Sequence, residues 1–189
     1  MGLSEICFTE HVDYGVKEDW LPDDNYLVGK NKVVKNVHYP RYFKELTELK
    51  QRYQDQITIK TGMEFGMQQH TIAPFQTLFD AHPFDFILLS VHQIDNLEFW
   101  TGEFQKGRTQ QESYQRYYEE MYELVTLHKD YSVLAHMDLI RRYLDKETDA
   151  FDTTKEQIAK ILKVVIQDGK GIELNTSSHR YGIHGYTPS

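Results

Sequence analysis

The chain has 189 residues, of which 40% are hydrophobic and 13% aromatic, a composition that can bury one sizeable core and gives no sign of a second domain. Its net charge of −8 argues against nucleic acid or an anionic membrane as a partner, because both would be repelled overall. The longest apolar stretch, 84–91, is far shorter than the roughly 20 residues of a membrane span, and the single cysteine, Cys7, allows no disulfide framework, which fits a cytoplasmic protein.

Five apolar runs of strand length are predicted as β-strands, and each stops at a side chain that can bind a metal or a phosphate. The runs, each with the residue at which it stops, are Ile6–Phe8 with His11, Ile57–Ile59 with Glu64, Phe86–Leu89 with His92, Val133–Leu134 with His136, and Ile172–Leu174 with Asn175.

Helical patterns lie between these strands. A polar stretch, Val12–Val37, is predicted as a long loop over one end of the sheet. Strands that alternate with helices predict parallel pairing and right-handed crossovers, and therefore the α/β class. The helices are predicted over 40–53, over 70–81 with an early interruption at Pro74, over 110–129 and over 153–167.

In barrels of alternating strands and helices, residues at the carboxyl ends of the strands converge on one mouth although they are distant in sequence. His11, Glu64, His92 and His136 would meet there, and three imidazoles with a carboxylate describe a metal site. The glycines on either side of Glu64, at positions 62 and 66, would let other groups approach closely. A carboxylate at this point can bridge two cations, which an imidazole cannot do.

Each of these residues also has a simpler interpretation. His11 would then merely cap a strand end, and Cys7 would be a small buried apolar group and not a nucleophile. His92 and His136 are stronger candidates, because each follows an apolar strand in which an unpaired imidazole would be costly. The other histidines are expected at the surface or behind the ligands, and they are His38, His70, His82, His128, His179 and His184.

The chain resembles the polymerase-and-histidinol-phosphatase (PHP) superfamily, and its closest branch is that of the monofunctional histidinol-phosphate phosphatases. The resemblance covers nearly the whole chain and rests on the order and spacing of the motifs together. The motifs are Thr9-Glu10-His11, Gly62-Met63-Glu64, Ser90-Val91-His92, Ala135-His136-Met137-Asp138 and Ile172-Glu173-Leu174-Asn175-Thr176, with the stretches 86–100 and 136–143 resembling that branch.

The resemblance implies a distorted seven-stranded α/β barrel that holds up to three divalent cations, variously zinc, manganese or iron. It implies that His11 ligates one outer metal, that Glu64 bridges two metals, and that His92 and His136 hold another. Arg142 would clamp the phosphate together with Arg180, and the motif selects Arg142 over its neighbour at position 141. Without the resemblance, each arginine is equally a surface salt-bridge partner.

The implied reaction is the hydrolysis of L-histidinol phosphate to L-histidinol and phosphate, in histidine biosynthesis. The nucleophile would be a metal-activated water, with Glu64, His92 and His136 as the catalytic residues. The partner would then be a small-molecule phosphate ester. A PHP phosphoesterase with a different substrate range is an open alternative.

Two motifs of the family are absent from the sequence, the first-strand His-x-His and the late-strand Asp-x-His. We therefore expect residues 1–189 to form a single PHP-type domain with about five of the seven strands and two open sheet edges. Such a chain could also be an inactive or partial unit that binds metal, forms a homo-oligomer or associates with a completing chain. Glu10, where the family often has aspartate, is expected to support the ligands by hydrogen bonding.

Overall fold

A computed structural model of the protein describes residues 2–21, 35–145, 150–177 and 180. The middle of the predicted loop, 22–34, and the histidines at 179 and 184 lie outside the described residues. The strands are β1 Glu5–Val12, β2 Thr58–Gly66, β3 Phe86–Ser90, β4 Gln93–Ile94, β5 Leu97–Glu98, β6 Val133–Leu134 and β7 Gly171–Ile172. The helices are α1 Tyr39–Tyr53, α2 Ile72–Ala81, α3 Gln110–Leu127 and α4 Phe151–Gln167.

Five of the strands form one parallel sheet in the order β1-β2-β3-β6-β7, which confirms the predicted α/β class. The register places His11 opposite Glu64 and Glu64 opposite Leu88, so the carboxyl ends of the strands lie at the same edge. That edge carries all of the predicted ligands. His11 and Glu64 lie within β1 and β2, whereas His92 and His136 follow β3 and β6 by two residues.

Strands β4 and β5 form an antiparallel hairpin that the sequence did not predict. Each strand has only two residues, which is too short for a hydrophobic period to be recognised. The turn between them places Asp95 and Asn96 at positive φ angles of 54° and 60°. Positive φ at both central residues is typical of the tight hairpin turn that matches strand twist, and aspartate and asparagine tolerate it.

Local sequence explains where the helices begin. His38 accepts a hydrogen bond from the backbone N–H of Arg41 at the start of α1, where Pro40 occupies the first turn. Thr109 and Glu112 form a reciprocal capping box at the start of α3. Pro74 falls in the first turn of α2, where a backbone N–H would have no helical acceptor. The predicted interruption of the helix at this proline was therefore wrong.

Helix α3 ends two residues earlier than predicted, and the expectation that His128 lies at the surface or behind the ligands was wrong. Residue 128 takes an extended conformation, and its side chain is almost fully buried. Its Nε2 lies 3.1 Å from the backbone oxygen of Asp130, and its ring stacks on Tyr131. The three-and-four spacing of the buried side chains continues to His128, because this side chain faces the core although the helix has ended at Leu127.

The core holds the sheet and helices together on both sides of β2. Phe65 of β2 packs on Phe75 of α2 with ring centroids 4.7 Å apart, and both side chains are fully buried. Helix α3 packs against α4, burying Met121 and Ile161 among other side chains. Each fully buried side chain of this size contributes roughly 1.5 to 3 kcal/mol, so this core stabilises the scaffold beneath the site.

Within the described residues the sheet ends at β1 and β7, and both edges expose apolar side chains. Phe8 on β1 is 39% exposed, and Ile172 on β7 is 46% exposed. No helix in the described part of the chain is long and apolar enough to cross a membrane.

Candidate metal centre

A single buried carboxylate, that of Glu64, gathers three imidazoles around it. Its Oε2 lies 3.3 Å from Nε2 of His11, on the neighbouring strand β1. Its Oε1 lies 3.0 Å from Nε2 of His92 and 2.9 Å from Nε2 of His136. The structure therefore brings together all four residues that the sequence nominated as metal ligands.

The separations between these atoms fit a divalent cation. Donor atoms of His11, Glu64 and His92 all lie within 4.8 Å of one another, and the Nε2 atoms of His92 and His136 are 3.4 Å apart. Two nitrogens bound at about 2.0 to 2.1 Å by a tetrahedral zinc ion lie about 3.3 to 3.4 Å apart. Imidazole nitrogen with carboxylate oxygen also suits manganese and iron, so the donor set admits all three metals.

Further hydrogen bonds fix the orientation of these ligands. Ser90, at the end of β3, donates from Oγ to Oε1 of Glu64 at 2.7 Å. His92 donates from Nδ1 to Oδ1 of Asp13 at 2.7 Å, which leaves Nε2 directed at the centre. The backbone N–H of His136 donates to the carboxylate of Glu173 at 2.9 Å. Such partners fix ring orientation and tautomer in metal sites.

Glycine is required at two positions of β2 because other groups approach the backbone closely. A Cβ atom at Gly66 would lie 1.8 Å from Oδ1 of Asp13 and 2.6 Å from Nδ1 of His92. A Cβ atom at Gly62 would lie 2.6 Å from Sγ of Cys7. The predicted close approach at both glycines is confirmed, and at Gly66 the approaching groups belong to the site itself.

The electrostatics of the centre favour a positive charge between two carboxylates. Burial lowers the pKa of His92, but its hydrogen bonds to Asp13 and Glu64 outweigh burial and raise it to about 10. Burial raises the pKa of Asp13, but His92 and Lys17 outweigh it and hold the value at about 2. The pKa of Glu64 is held well below its ordinary value in the same way by His136 and His92. A divalent cation would supply the charge that these carboxylates favour.

The centre opens into a cavity of about 450 Å³ that also contains Arg142. Arg142 lies in a 3₁₀ segment, Leu139–Tyr143, just after His136, and its Nη2 donates to the hydroxyl of Ser177. Arg141 instead lines a separate cavity between α3 and α4. The structure thus places the arginine selected by the motif on the side of the metal ligands, and its phosphate-binding role stays a prediction.

Arg180 lies apart from the other predicted residues. It lines a neighbouring cavity of about 500 Å³, and its backbone N–H donates to the oxygen of Ser177 at 2.9 Å. Asn175 and Ser177 line both cavities, so the two are adjacent. The role of Arg180 in phosphate binding also stays a prediction.

Asp13 is a residue of the site that sequence reasoning missed. It follows the buried Val12 and lies two residues beyond His11, a spacing that places its carboxylate on the same edge of the sheet. A carboxylate directly after a buried strand residue was the available signal. Glu10, which the sequence nominated for this supporting role, is exposed and lines a different, polar cavity with Arg41.

Comparisons with known proteins agree with this geometry. The PHP domain family model matches residues 1–177. A histidinol-phosphatase of Lactococcus lactis is 30% identical over 179 residues, which are 93% of this chain and 61% of that protein. The chain spans between 61% and 62% of the length of the curated relatives that it matches.

Solved structures show the same fold. The crystal structure of a histidinol phosphate phosphatase from Lactococcus lactis, complexed with zinc, L-histidinol and phosphate, matches with a TM-score of 0.78. That match has 30% identity and covers 93% of this chain and 62% of the other. A Listeria monocytogenes structure, described as a candidate histidinol phosphatase, matches with a TM-score of 0.69 at 17% identity. It covers 99% of this chain and 76% of its own, and it supports the fold alone.

Proposed function

Because the chain belongs to the PHP domain family, we propose that it carries the metal centre of a phosphoesterase that hydrolyses L-histidinol phosphate to L-histidinol and phosphate. The observation that carries the proposal is the convergence of three imidazoles on the buried carboxylate of Glu64, beside Arg142 in one cavity. The zinc, L-histidinol and phosphate in the related Lactococcus lactis structure support this substrate.

The four nominated ligands would hold part of a centre that binds up to three divalent ions in the intact family, and we propose that these ions are zinc, manganese or iron. His11 and Glu64 would serve an outer metal, and Glu64 would share its carboxylate with the metal held by His92 and His136. Bound divalent ions lower the pKa of a coordinated water and neutralise phosphate oxygens as charge develops.

The remaining residues of the cavity suit the rest of this substrate. Arg142 presents a planar fork of N–H donors, which matches two phosphate oxygens at once. Glu98, at the end of β5, lines the same cavity and offers a carboxylate to the ammonium group of histidinol phosphate. Trp100 and Tyr143 provide aromatic surface for its imidazole ring. The cavity therefore offers a partner to each functional group of the proposed substrate.

A phosphate-release assay tests the proposal directly. The purified chain, loaded with zinc or with manganese, is assayed with L-histidinol phosphate, O-phosphoserine and p-nitrophenyl phosphate. We expect metal-dependent release with a preference for L-histidinol phosphate, and loss of release in Glu64→Gln. Release that is unaffected by chelation, or that persists in Glu64→Gln, would contradict the proposed function. A preference for another ester would favour the alternative of a PHP phosphoesterase with a different substrate range.

We further propose that residues 1–189 form one PHP-type domain whose sheet is completed at β1 and β7 by strands that the described residues do not supply. The exposed apolar side chains at both edges support this, as does the absence of the first-strand His-x-His and of a late-strand Asp-x-His, since Asp80-Ala81-His82 lies at the end of α2. A longer polypeptide, a second copy or a completing chain could provide the strands. We also propose a cytoplasmic location for the protein, where the free Cys7 would stay reduced.

Size-exclusion chromatography with light scattering, combined with the phosphate-release assay, tests this proposal. We expect the isolated chain to associate, because unpaired strand edges favour pairing with other chains. We also expect weak turnover, because without the ligands of the two absent motifs the metals would be underbound. A monodisperse monomer with strong metal-dependent activity would show that no completing strand is needed. Metal binding without any turnover would instead identify the chain as an inactive or partial unit.

A further inference from the structure

The turn that follows β1 has one fixed shape. The backbone oxygen of Asp13 accepts hydrogen bonds from the N–H groups of Val16 at 3.3 Å and Lys17 at 2.9 Å. Gly15, at the apex, has a φ of +95°, and a Cβ atom there would lie 2.1 Å from Oδ1 of Asn96. Only glycine fits this conformation and this approach, so the turn holds Lys17 close to Asp13.

The two carboxylate oxygens of Asp13 have different partners. Oδ1 accepts the hydrogen bond from Nδ1 of His92 at 2.7 Å, and Oδ2 forms an ion pair with the ammonium group of Lys17. The side chains of Asp13 and Lys17 are only 4% and 18% exposed. An ion pair this far removed from solvent is screened much less than a surface pair. It therefore fixes the carboxylate in one orientation.

We propose that Lys17 is a positioning residue, which acts through Asp13 to hold His92 with its Nε2 directed at the metal position. The proposal rests on the metal site of the proposed function. Without the ammonium group, Oδ2 of the buried Asp13 would lose its partner, and rotation of the carboxylate would release Nδ1 of His92. Removal of a residue that orients a metal ligand by hydrogen bonding typically weakens metal affinity by about 10- to 100-fold.

Two further contacts hold this segment without the side chain of Lys17. The backbone N–H of Asp13 donates to Oδ1 of the buried Asn36 at 2.8 Å, independently of the lysine side chain. Trp20 also donates from Nε1 to the backbone oxygen of Asn36 at 2.7 Å. Replacement of Lys17 should therefore leave the segment folded and alter the orientation of the Asp13 carboxylate.

Zinc affinity, measured by competition with a chromogenic chelator, tests the role of Lys17. Lys17→Met should weaken zinc binding by about tenfold, while Lys17→Arg, which keeps the positive charge, should recover most of the affinity. Lys44→Met is the matched control, because Lys44 lies on α1 with its side chain 76% exposed and 3.9 Å from Glu48. Equal zinc affinities of Lys17→Met, Lys44→Met and the unaltered chain would overturn the proposal.

A measurement on the metal-free chain separates this proposal from the proposed function. Long-range ¹H–¹⁵N correlation spectra report whether the Nδ1 proton of His92 is protected from exchange with water. We expect protection in the unaltered chain and in Lys17→Arg, and its loss in Lys17→Met. If the chain bound no zinc, the proposed metal site would fail, and these spectra alone would decide the role of Lys17. Protection that survives in Lys17→Met would overturn that role.

Discussion

Asp13 and His92 are separated by 79 positions in the sequence, yet Oδ1 of the first lies 2.7 Å from Nδ1 of the second. The pair passes directly over Gly66, where the missing side chain provides the room. This contact joins the end of β1 to the segment after β3 across the intervening strand β2. The orientation of one metal-ligand candidate therefore depends on three neighbouring strands at once.

Gly66→Ala should disrupt this pair, because the added Cβ would lie 1.8 Å from Oδ1 of Asp13. Overpacking of this kind costs about 1 to 3 kcal/mol of stability. Gly62→Ala is the matched control, since its Cβ would lie 2.6 Å from Sγ of Cys7, away from the ligand pair. We expect both variants to melt at lower temperature but only Gly66→Ala to weaken zinc binding, by about tenfold or more. Equal loss of zinc affinity in both would contradict the prediction.

The stability of the metal-free protein should depend on pH through His92. Folding raises the pKa of His92 from 6.5 to about 10, so its stabilising contribution is complete below about pH 6.5 and is lost as the pH rises through about 10. The pKa of Asp13 falls from 3.8 to about 2, so its contribution is present above about pH 3.8 and is lost as the pH falls through about 2.

Thermal melts of the metal-free chain between pH 4 and pH 10 measure this dependence. We expect the melting temperature to decline as the pH rises from about 6.5 toward 10. Asp13→Asn should flatten the alkaline decline, because His92 then loses one of its two carboxylate partners. A decline of unchanged steepness in Asp13→Asn would rule out His92 as its source.

Arg142→Ala should weaken phosphate binding without removing metal, because its guanidinium is proposed to contact the anion and not the cations. Loss of a charge-assisted hydrogen bond costs about 1.5 to 3 kcal/mol, or roughly one to two decades in catalytic efficiency. Arg141→Ala is the matched control, since that side chain lines a different cavity. Isothermal titration of inorganic phosphate into the zinc-loaded chain, together with metal content, measures both effects. Equal phosphate affinities for the two variants would remove Arg142 from the site.

Glu98→Gln should affect only substrates that carry an amino group. The carboxylate lines the cavity, and a positively charged ammonium group loses its charge partner when Glu98 becomes neutral. We expect KM for L-histidinol phosphate to rise about tenfold, a loss of about 1.4 kcal/mol, while p-nitrophenyl phosphate is hydrolysed as before. A parallel change with both esters would indicate that Glu98 supports the metal centre and does not recognise the substrate.

Glu64→Gln keeps the shape of the side chain but removes the charge that three imidazoles share. Zinc affinity should fall by about 100-fold or more, which exceeds the loss expected on removal of a residue that only hydrogen-bonds to a ligand. Glu10→Gln, at an exposed position outside the main cavity, provides the control and should bind zinc normally. Chelator competition on both variants measures the difference, and a modest loss in Glu64→Gln would place the principal ligands elsewhere.

The sequence by itself predicted the five strands of the parallel sheet, the four helices and the four ligand candidates that meet at one edge of that sheet. Apolar runs fixed the strands because hydrophobic burial is a property of short segments, and the capping residues Thr109 and Glu112 fixed the start of α3. His92 and His136 were recognisable because a polar side chain directly after a buried strand requires a partner. The parallel alternation of strands and helices then placed these residues at one edge of the sheet.

Only the tertiary structure decided which groups hydrogen-bond to the ligand candidates and fix their orientation. Asp13 and Lys17 come together through a turn whose shape depends on Gly15 fitting beneath Asn96, a contact between distant segments. The burial of His128 likewise depends on the segment after α3, where its ring contacts Asp130 and Tyr131. The spacing of apolar residues along the sequence indicates which face of a helix or strand is buried. The partner of a buried charged side chain depends instead on the register between neighbouring strands. That register places Asp13, and not Glu10, against His92.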